Sequence, residues 1–233
     1  NIALLKGGFS NEADVSRDSD SSIEKALISI GFNVFPVEVD KNFPEWIIKN
    51  KEKIDIIFNA LHGNWGEDGK IQGFLEYIDI PYTHSGVTAS AIGMHKQYAK
   101  EIFKSVGLKV PHSKIISLAA LKDSEPFNRP YIIKPVSGGS SLGIKIIEQD
   151  TNIEDEIKGL PNEIFIIEEY VEGKGITVAL ISGKTLGILE VSPKQRFYNY
   201  KAKYDKSSNT DYISADYLPF EIKQKLLVDS IKA

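Results

Sequence analysis

The most informative stretch of the chain is Lys134-Pro135-Val136-Ser137-Gly138-Gly139-Ser140-Ser141-Leu142-Gly143. It joins two predicted strands, so it is neither a P-loop nor a dinucleotide fingerprint, both of which lead from a strand into a helix. Glycines let the backbone turn its N–H groups towards a polyanion, serines add donors, and Lys134 supplies a positive charge. The loop therefore predicts phosphate binding. A plain hairpin turn with a surface lysine is the alternative.

Upstream of this loop, the first ninety residues alternate short apolar runs with helical periodicity. This alternation predicts a parallel sheet with helices on both faces, the doubly wound α/β class. The predicted strands are Ile2 to Leu5, Val34 to Val39, Ile54 to Leu61 and Ile80 to Tyr82. The predicted helices are one that ends at Gly31, one from Phe43 to Ile48 and one from Lys70 to Tyr77.

From about residue 85 the pattern becomes α+β, with strands that favour antiparallel pairing. Two helices are expected at 89–94 and 96–106. The predicted strand pairs are 131–134 with 144–147 and 164–168 with 176–181, followed by a hairpin at 182–184 and a last helix at 219–233. The stretch 192–211 is too long for an ordinary connection and is expected to be a functional loop. We expect three domains, 1–90, 91–180 and 181–233.

Composition excludes several classes of protein. The 233 residues include no cysteine, which excludes a disulfide scaffold, a thiolate metal site and a cysteine nucleophile. Lys and Arg number 28 against 32 Asp and Glu, and three of the 28 are Arg, so nucleic acid is a poor candidate partner. No apolar run approaches the ~18 residues that span a bilayer, and no signal peptide is recognisable. We therefore expect a cytoplasmic protein with no membrane partner.

Acidic and imidazole side chains follow two of the predicted parallel strands, at the edge where open α/β sheets bind ligands. Glu12 and Asp14 follow the first strand, and they either favour the start of the next helix or hold a substrate ammonium group. His62 follows the third strand, where a structural hydrogen bond is the alternative to a catalytic role. Glu67-Asp68-Gly69 is also typical of a plain helix start.

Two further segments carry weaker signals. Glu168-Glu169-Tyr170-Val171-Glu172-Gly173 ends a predicted strand with clustered acids, a pattern that occurs where backbone groups bind the edge of an adenine. The segment Arg196-Phe197-Tyr198-Asn199-Tyr200-Lys201-Ala202-Lys203-Tyr204 combines three tyrosines with three basic residues. It suits a lid that closes over phosphate, and an aromatic surface loop is the alternative.

Five segments, in this order, cover essentially the whole chain: Leu5-Lys6-Gly7-Gly8 with Ser10-Asn11-Glu12 and Val15-Ser16; Ala60-Leu61-His62-Gly63 with Gly66-Glu67-Asp68-Gly69 and Gln72-Gly73; Pro81-Tyr82-Thr83 with Ser85-Gly86 and Lys96; Ile133-Lys134-Pro135 with Gly139-Ser140-Ser141-Gly143; and Phe197-Tyr198 with Lys203-Tyr204. As a set they resemble the D-alanine–D-alanine ligases of the ATP-grasp superfamily. No single segment would suffice.

The resemblance implies a doubly wound domain followed by an ATP-grasp fold, with ATP and D-alanine as substrates, Mg²⁺ as cofactor and a homodimer as the usual assembly. In the family reaction, which serves peptidoglycan synthesis, ATP phosphorylates the carboxylate of one D-alanine. The amine of a second D-alanine then attacks the acylphosphate. Neither step needs a protein nucleophile, so catalysis rests on positioning and electrostatic stabilisation.

The resemblance also implies roles for individual residues. Glu12 orients the ammonium group of the first D-alanine, with His62 near its carboxylate. Glu12, Ser140 and Tyr204 form a hydrogen-bonded triad that holds the lid. The remaining implied contacts are Lys203 with the transferred phosphoryl group, Ser141 with substrate, and Lys96, Lys134, Gly139, Ser140, Glu168, Glu169, Tyr170 and Val171 with ATP.

This sequence departs from the family pattern at three points. Gly175 stands where the family usually has a Glu for the ribose, and His95 replaces a usual Asp. The family also continues beyond the position of Ala233, with an Arg, an Asp and a Glu-x-Asn pair that bind Mg²⁺ and developing charge, so no metal ligand is expected within this chain. We expect these residues alone to be inactive, as a truncated, partial or decayed ligase that is incomplete at its C-terminal end.

Three rival interpretations stay open. Another ATP-grasp ligase, such as a D-alanine–D-lactate ligase, is disfavoured because a Tyr at the position of Tyr204 accompanies alanine in the family. A non-catalytic nucleotide-binding module would bind ATP without turnover. A structural α/β protein with accidental glycine loops would show no stabilisation by ATP.

Overall fold

The computed structural model describes residues 1–160, 164–195 and 197–233. They divide into two units: unit 1 comprises Asn1–His95 with Ser137–Gly139, and unit 2 comprises Lys96–Val136 with Ser140–Ala233. The finer division into three domains, with boundaries at residues 90 and 180, stays a prediction.

Unit 1 contains a parallel sheet with flanking helices. Its elements in chain order are β1 (Ile2–Gly7), α1 (Ala13–Ser29), β2 (Val34–Val39), α2 (Phe43–Asn50), β3 (Ile56–Asn59), α3 (Lys70–Tyr77) and α4 (Val87–Met94). The strand order is β2-β1-β3, with every pair parallel, which confirms the predicted sheet. The predicted strand at residues 80–82 is reduced to a single parallel bridge between Ile57 and Tyr82.

The core of unit 1 lies around β1. Leu5, Ile47, Ile57 and Leu75 are each fully buried and belong to one apolar cluster. Burial of a side chain of this size contributes roughly 1.5–3 kcal/mol. The cluster therefore fixes the sheet and holds the carboxyl ends of β1 and β3 side by side.

Helix α1 begins well before the apolar repeat that predicted it. The repeat misses the first turns because the residues they bury, Ser16 and Asp20, are polar. The Ser16 hydroxyl accepts the Gly7 N–H at 3.0 Å and donates to the Ala60 carbonyl at 2.7 Å, so it joins the end of β1 to the segment that follows β3. At the other end Gly31, with φ +96°, follows the helix as predicted.

Unit 2 contains two antiparallel sheets. Its elements are α5 (Lys96–Ser105), β4 (Ser113–Ile116), α6 (Leu118–Asp123), β5 (Tyr131–Pro135), β6 (Lys145–Ile147), α7 (Ile153–Ile157), β7 (Phe165–Glu169), β8 (Gly175–Ile181), β9 (Lys184–Ser192), α8 (Tyr200–Tyr204), β10 (Asp211–Ser214) and α9 (Phe220–Lys232). One sheet has the order β4-β7-β5-β6, and the other has the order β10-β9-β8.

The predicted pairing of 164–168 with 176–181 is wrong. β7 lies between β4 and β5, whereas β8 pairs with β9 in the other sheet. Burial explains the difference: Phe165, Ile166, Ile167 and Glu168 are all buried, as a central strand requires, while β8 alternates between half-buried and exposed residues. β7 and β8 follow each other in the sequence, but burial and not sequence order decides their partners.

The stretch 192–211, for which the sequence shows no helical repeat, contains α8 and a 3-10 turn at Lys206–Ser208; its role as a functional loop stays a prediction. The Asn199 side chain caps α8 by accepting the Ala202 N–H at 2.9 Å. Ala202 is buried, and its carbonyl accepts the hydroxyls of Ser208 and Thr210. Arg196, the first residue of the predicted lid segment, lies outside the described residues.

Candidate functional site

The Glu12 side chain is buried beyond the carboxyl end of β1. Glu12 precedes α1, yet its carboxylate makes no capping hydrogen bond. It packs instead on glycine backbone: a Cβ on Gly63 would lie 2.3 Å from Glu12 Oε2, and a Cβ on Gly139 would lie 3.4 Å from it. Both expected roles of Glu12, a charge that favours the start of α1 and a partner for a substrate ammonium group, stay predictions. The structure places a buried carboxylate beside the loop after β3 and beside the glycine-rich loop.

Ser10 holds Glu12 and His62 in register. The Ser10 hydroxyl donates to the His62 carbonyl oxygen at 2.6 Å and accepts the Glu12 N–H at 3.1 Å. Ser10 belongs to the same family segment as Glu12, and this membership is the one sign of it in the sequence.

His62 and Glu67 form an ion pair in which Nδ1 lies 3.5 Å from Oε1. The hydrogen bond to Glu67 raises the pKa of the His62 imidazole; burial opposes this rise, and the charges of Glu67 and Glu12 add to it. Glu67 also accepts the Gly63 N–H at 2.7 Å. The predicted helix start is confirmed at Asp68, which accepts the Lys70 N–H at 3.2 Å.

Glu168 binds two lysines in unit 2. Its Oε1 lies 2.5 Å from Lys100 Nζ, and its Oε2 contacts Lys134 Nζ. Burial alone would raise the pKa of the Glu168 carboxyl, but hydrogen bonds from both lysines outweigh burial and lower it. Lys100, which sequence reasoning missed, is buried and also donates to the Pro111 carbonyl at 2.7 Å. The predicted nucleotide residues Lys134 and Glu168 thus contact each other directly.

Lys96 belongs to the same group of charges. The pKa of the Lys96 ammonium is lowered to about 8: burial is the largest cause, the Lys134 charge acts in the same direction, and the Glu168 charge opposes both. The Lys96 N–H donates to the Val136 carbonyl at 2.9 Å, which fixes the first residue of α5 against the start of the glycine-rich loop. Three candidate nucleotide-binding residues therefore form one electrostatically coupled cluster.

Glu169, Tyr170 and Val171 lie where β7 ends, as predicted. The Glu169 carboxylate accepts the His112 N–H at 2.9 Å, and the Glu169 N–H donates to the His112 carbonyl at 3.1 Å. Val171 is exposed. The Glu169 side chain is thus engaged with its own unit, and the contact of this segment with adenine stays a prediction.

The two serines of the glycine-rich loop contact the lid segment within unit 2. The Ser140 and Tyr204 hydroxyl oxygens lie 2.6 Å apart, and the Ser141 hydroxyl donates to the Tyr198 carbonyl at 2.9 Å. Lys203 Nζ lies 5.3 Å from the centroid of the Tyr198 ring. One arm of the expected triad, Ser140 with Tyr204, is present. The arm to Glu12, a residue of unit 1, stays a prediction.

Within residues 1–160, 164–195 and 197–233, no three His, Asp or Glu side chains come together as a metal site. Over the same residues, no helix is both long and apolar enough to cross a membrane.

Comparison with known proteins gives one consistent result. The family model described as D-ala D-ala ligase C-terminus matches residues 97–233, and the model described as D-ala D-ala ligase N-terminus matches residues 46–85. A D-alanine--D-alanine ligase from Acidiphilium cryptum is 40% identical over 94% of this chain and 73% of that relative.

Solved structures agree with the sequence comparison. The D-alanine--D-alanine ligase of Bacillus anthracis superposes with a TM-score of 0.79 at 30% identity, over 99% of this chain and 76% of that one. The same ligase complexed with ATP gives a TM-score of 0.78 at 26% identity, over 99% and 75% of the two chains.

Proposed function

The chain belongs to the D-alanine–D-alanine ligase family, and from that premise we propose which of its side chains carry the reaction. The reaction is the ATP-dependent ligation of two D-alanines to D-alanyl-D-alanine, for peptidoglycan synthesis. The observation that carries the assignment of residues is the burial of Glu12 between the loop after β3 and the glycine-rich loop.

In the first step a carboxylate oxygen of one D-alanine attacks the γ-phosphorus of ATP. The bond from phosphorus to the β,γ-bridging oxygen breaks, and ADP leaves. We assign Glu12 to the ammonium group of this D-alanine and the raised-pKa imidazole of His62 to its carboxylate. Ser10 and Glu67 position these two groups. Lys203 stabilises the charge on the transferred phosphoryl group.

In the second step the amine of another D-alanine attacks the acylphosphate carbonyl carbon. The amine loses a proton, the tetrahedral intermediate collapses, and inorganic phosphate leaves with the C–O bond electrons. We assign Ser140, Ser141 and Tyr204 to this stage, because their contacts join the glycine-rich loop to the lid. Closing the lid would exclude water, which competes with the amine for the acylphosphate.

For the nucleotide, Lys96 and Lys134 are the proposed phosphate contacts, with Gly139 and Ser140 supplying backbone N–H groups. Glu168 compensates the lysine charges when ATP is absent. Glu169, Tyr170 and Val171 would offer backbone groups to the adenine, since they follow the end of β7.

Three further proposals rest on the family alone. Mg²⁺ accompanies ATP. The enzyme forms a homodimer, which sedimentation velocity would test. It works in the cytoplasm, where ATP is made.

The experiment that tests the residue assignment is phosphate release from ATP with and without D-alanine, for the full-length ligase as wild type and as Glu12→Gln. Glutamine keeps the size of the side chain and removes its charge. We expect D-alanine-stimulated release in the wild type and its loss in the variant, with ATP affinity retained. Equal stimulation in both proteins would refute the role of Glu12.

A further inference from the structure

His84 holds an unusual backbone conformation in unit 1. Its φ of +96° lies in the left-handed region, which costs a residue with a Cβ roughly 1–3 kcal/mol. Such residues persist where their surroundings fix them, and they concentrate at functional sites. His84 is not among the site residues predicted from the sequence, but its surroundings in the structure explain its conformation.

Asn59 fixes the orientation of the His84 ring. The buried Asn59 amide accepts the Leu61 N–H through Oδ1 at 3.1 Å and donates to the Gly66 carbonyl through Nδ2 at 2.9 Å. These two backbone partners leave one Nδ2 hydrogen, directed at His84 Nδ1 over 3.2 Å. Because Nδ1 accepts, the proton of the neutral imidazole resides on Nε2, which is a hydrogen-bond donor.

Burial of the ring favours its neutral form. Burial lowers the pKa of the His84 imidazole, and the charge of His62 lowers it further, against the opposing effect of Glu67. Its tautomer is therefore set by Asn59 and its charge by burial. A neutral, oriented N–H donor is the result.

This donor lines a cavity of about 490 Å³ in unit 1, together with Glu67, Ser85, Ser90, Gly138 and Gly139. The cavity combines a carboxylate acceptor, an imidazole donor and hydroxyl groups. An α-amino acid carries an ammonium group next to a carboxylate, and this lining complements both. Gly139, in the wall of the cavity, lies beside Glu12: a Cβ on Gly139 would lie 3.4 Å from the Glu12 carboxylate.

We propose that His84 is a substrate-binding residue that donates a hydrogen bond from Nε2 to a carboxylate oxygen of D-alanine. The assignment rests on the proposed function of the same site and adds to it a residue that none of the family segments contains. In this role the left-handed backbone directs the imidazole into the cavity, and Asn59 presents the correct nitrogen.

The test uses His84→Gly, since glycine adopts this backbone without strain and the variant should melt no lower than the wild type. We expect D-alanine affinity to fall about 3- to 10-fold, the effect of one lost hydrogen bond, with ATP affinity unchanged. His84→Asn tolerates the same backbone and keeps an N–H donor, so it should recover part of the affinity. Asp79→Gly is the matched control, because Asp79 is an exposed left-handed residue outside the cavity lining.

A second readout is the ¹⁵N spectrum of the four histidine rings of the wild type during D-alanine titration. We expect the Nε2–H tautomer at His84 and a shift of that nitrogen on binding, with His112 unmoved. A response of His62 without any response of His84, or full D-alanine affinity in His84→Gly, overturns this inference and leaves the proposed function intact. A full-length wild type that neither binds D-alanine nor releases phosphate would refute the proposed function itself.

Discussion

The hydroxyl oxygens of Ser140 and Tyr204 lie 2.6 Å apart although 64 positions separate the two residues in the chain. Ser140 has a φ of +50° within the glycine-rich loop, and Tyr204 is the last residue of α8. The neighbouring contact from Ser141 to the Tyr198 carbonyl ties the same two segments a second time. The lid segment is therefore held to two serine side chains of the glycine-rich loop.

Tyr204→Phe should weaken this coupling without unfolding the segment. The variant keeps the ring, which packs on Tyr200 with centroids 4.8 Å apart, and removes the hydroxyl. Loss of one hydrogen bond should lower kcat/KM for D-alanine about 3- to 10-fold, or relax the choice between D-alanine and D-lactate, with ATP affinity nearly unchanged. Initial rates with both acceptors measure this.

The control for Tyr204→Phe is Tyr200→Phe, on the same helix. Ser140→Ala and the double variant complete a mutant cycle, in which the second change should cost much less once the first has been made. Additive effects, or an unaltered acceptor profile in Tyr204→Phe, would show that the contact plays no part in the reaction.

Lys134→Met should weaken nucleotide binding directly. Glu168 keeps Lys100 as a partner, so no buried carboxylate is left uncompensated and the fold should survive. Loss of one charge-assisted hydrogen bond predicts about a 10- to 100-fold fall in ATP affinity, measured by calorimetry. Lys145→Met is a matched control on β6, because Lys145 pairs with Glu156 outside the Glu168 cluster. Unaltered ATP affinity in Lys134→Met would refute the phosphate contact.

The lowered pKa of Lys96 predicts that stability and ATP affinity change in opposite directions with pH. Its pKa of about 8 in the folded protein lies below the 10.5 of an ordinary lysine, so the folded state binds fewer protons between these values. The contribution of Lys96 to stability should rise with pH across this window, whereas ATP affinity should fall as the ammonium loses its proton above about pH 8. Titrations of the wild type and Lys96→Arg test this. An arginine stays charged, so the variant should lose the pH dependence, and identical profiles would contradict the assignment.

Glu67→Gln should lower the pKa of His62. The ion pair with Glu67 raises that pKa, and its contribution to stability is present below the unfolded value near 6.5 and lost as pH rises through the folded value. NMR titration of the His62 ring measures the change. D-alanine affinity should fall as His62 loses its proton, and in the variant this fall should occur at a lower pH than in the wild type. Glu76→Gln, which alters an exposed acid bonded to Tyr82, is the control. The idea fails if both variants leave the His62 titration where it is.

Much of the fold followed from the sequence because its strongest signals are local. The apolar run of β1, the repeat of α1 with Gly31 behind it, and Lys70–Tyr77 all depend on neighbouring residues, and the structure confirms each of them. The pairing of β7 could not be derived in this way, since its partners β4 and β5 are chosen by burial on both faces. The short helix α8 escaped prediction because a cap at Asn199 and one buried alanine define it rather than a long repeat.

The candidate site shows the same limit. The order of the motifs singles out Glu12, His62, Lys134 and Ser140 as candidate site residues. It does not say which side chains contact one another. The helix-start pattern concealed the contact of Glu67 with His62, and nothing in the spacing of α5 marked Lys100 as a partner of Glu168. Partners of this kind become visible only when the loops that carry them are placed in space.

Gly63→Ala tests whether the Glu12 carboxylate must lie where the structure places it. Gly63 has a φ of +68°, and an added Cβ would lie 2.3 Å from Glu12 Oε2, so the carboxylate must move and the backbone must strain. We expect a loss of stability of about 1–3 kcal/mol and loss of D-alanine binding, with ATP affinity retained. Thermal denaturation and calorimetric titration with each substrate measure the two effects.

Gly73→Ala is the control for this substitution. Gly73 lies within α3, its added Cβ meets Val87 at an ordinary 3.8 Å, and the change should stabilise the helix by about 0.5–1 kcal/mol. Glu12→Gln separates displacement of the carboxylate from damage to the fold, since it should bind D-alanine as poorly as Gly63→Ala while melting like the wild type. If Gly63→Ala binds D-alanine as tightly as Gly73→Ala does, the substrate ammonium group does not depend on the position of Glu12, and the assignment of that residue is wrong.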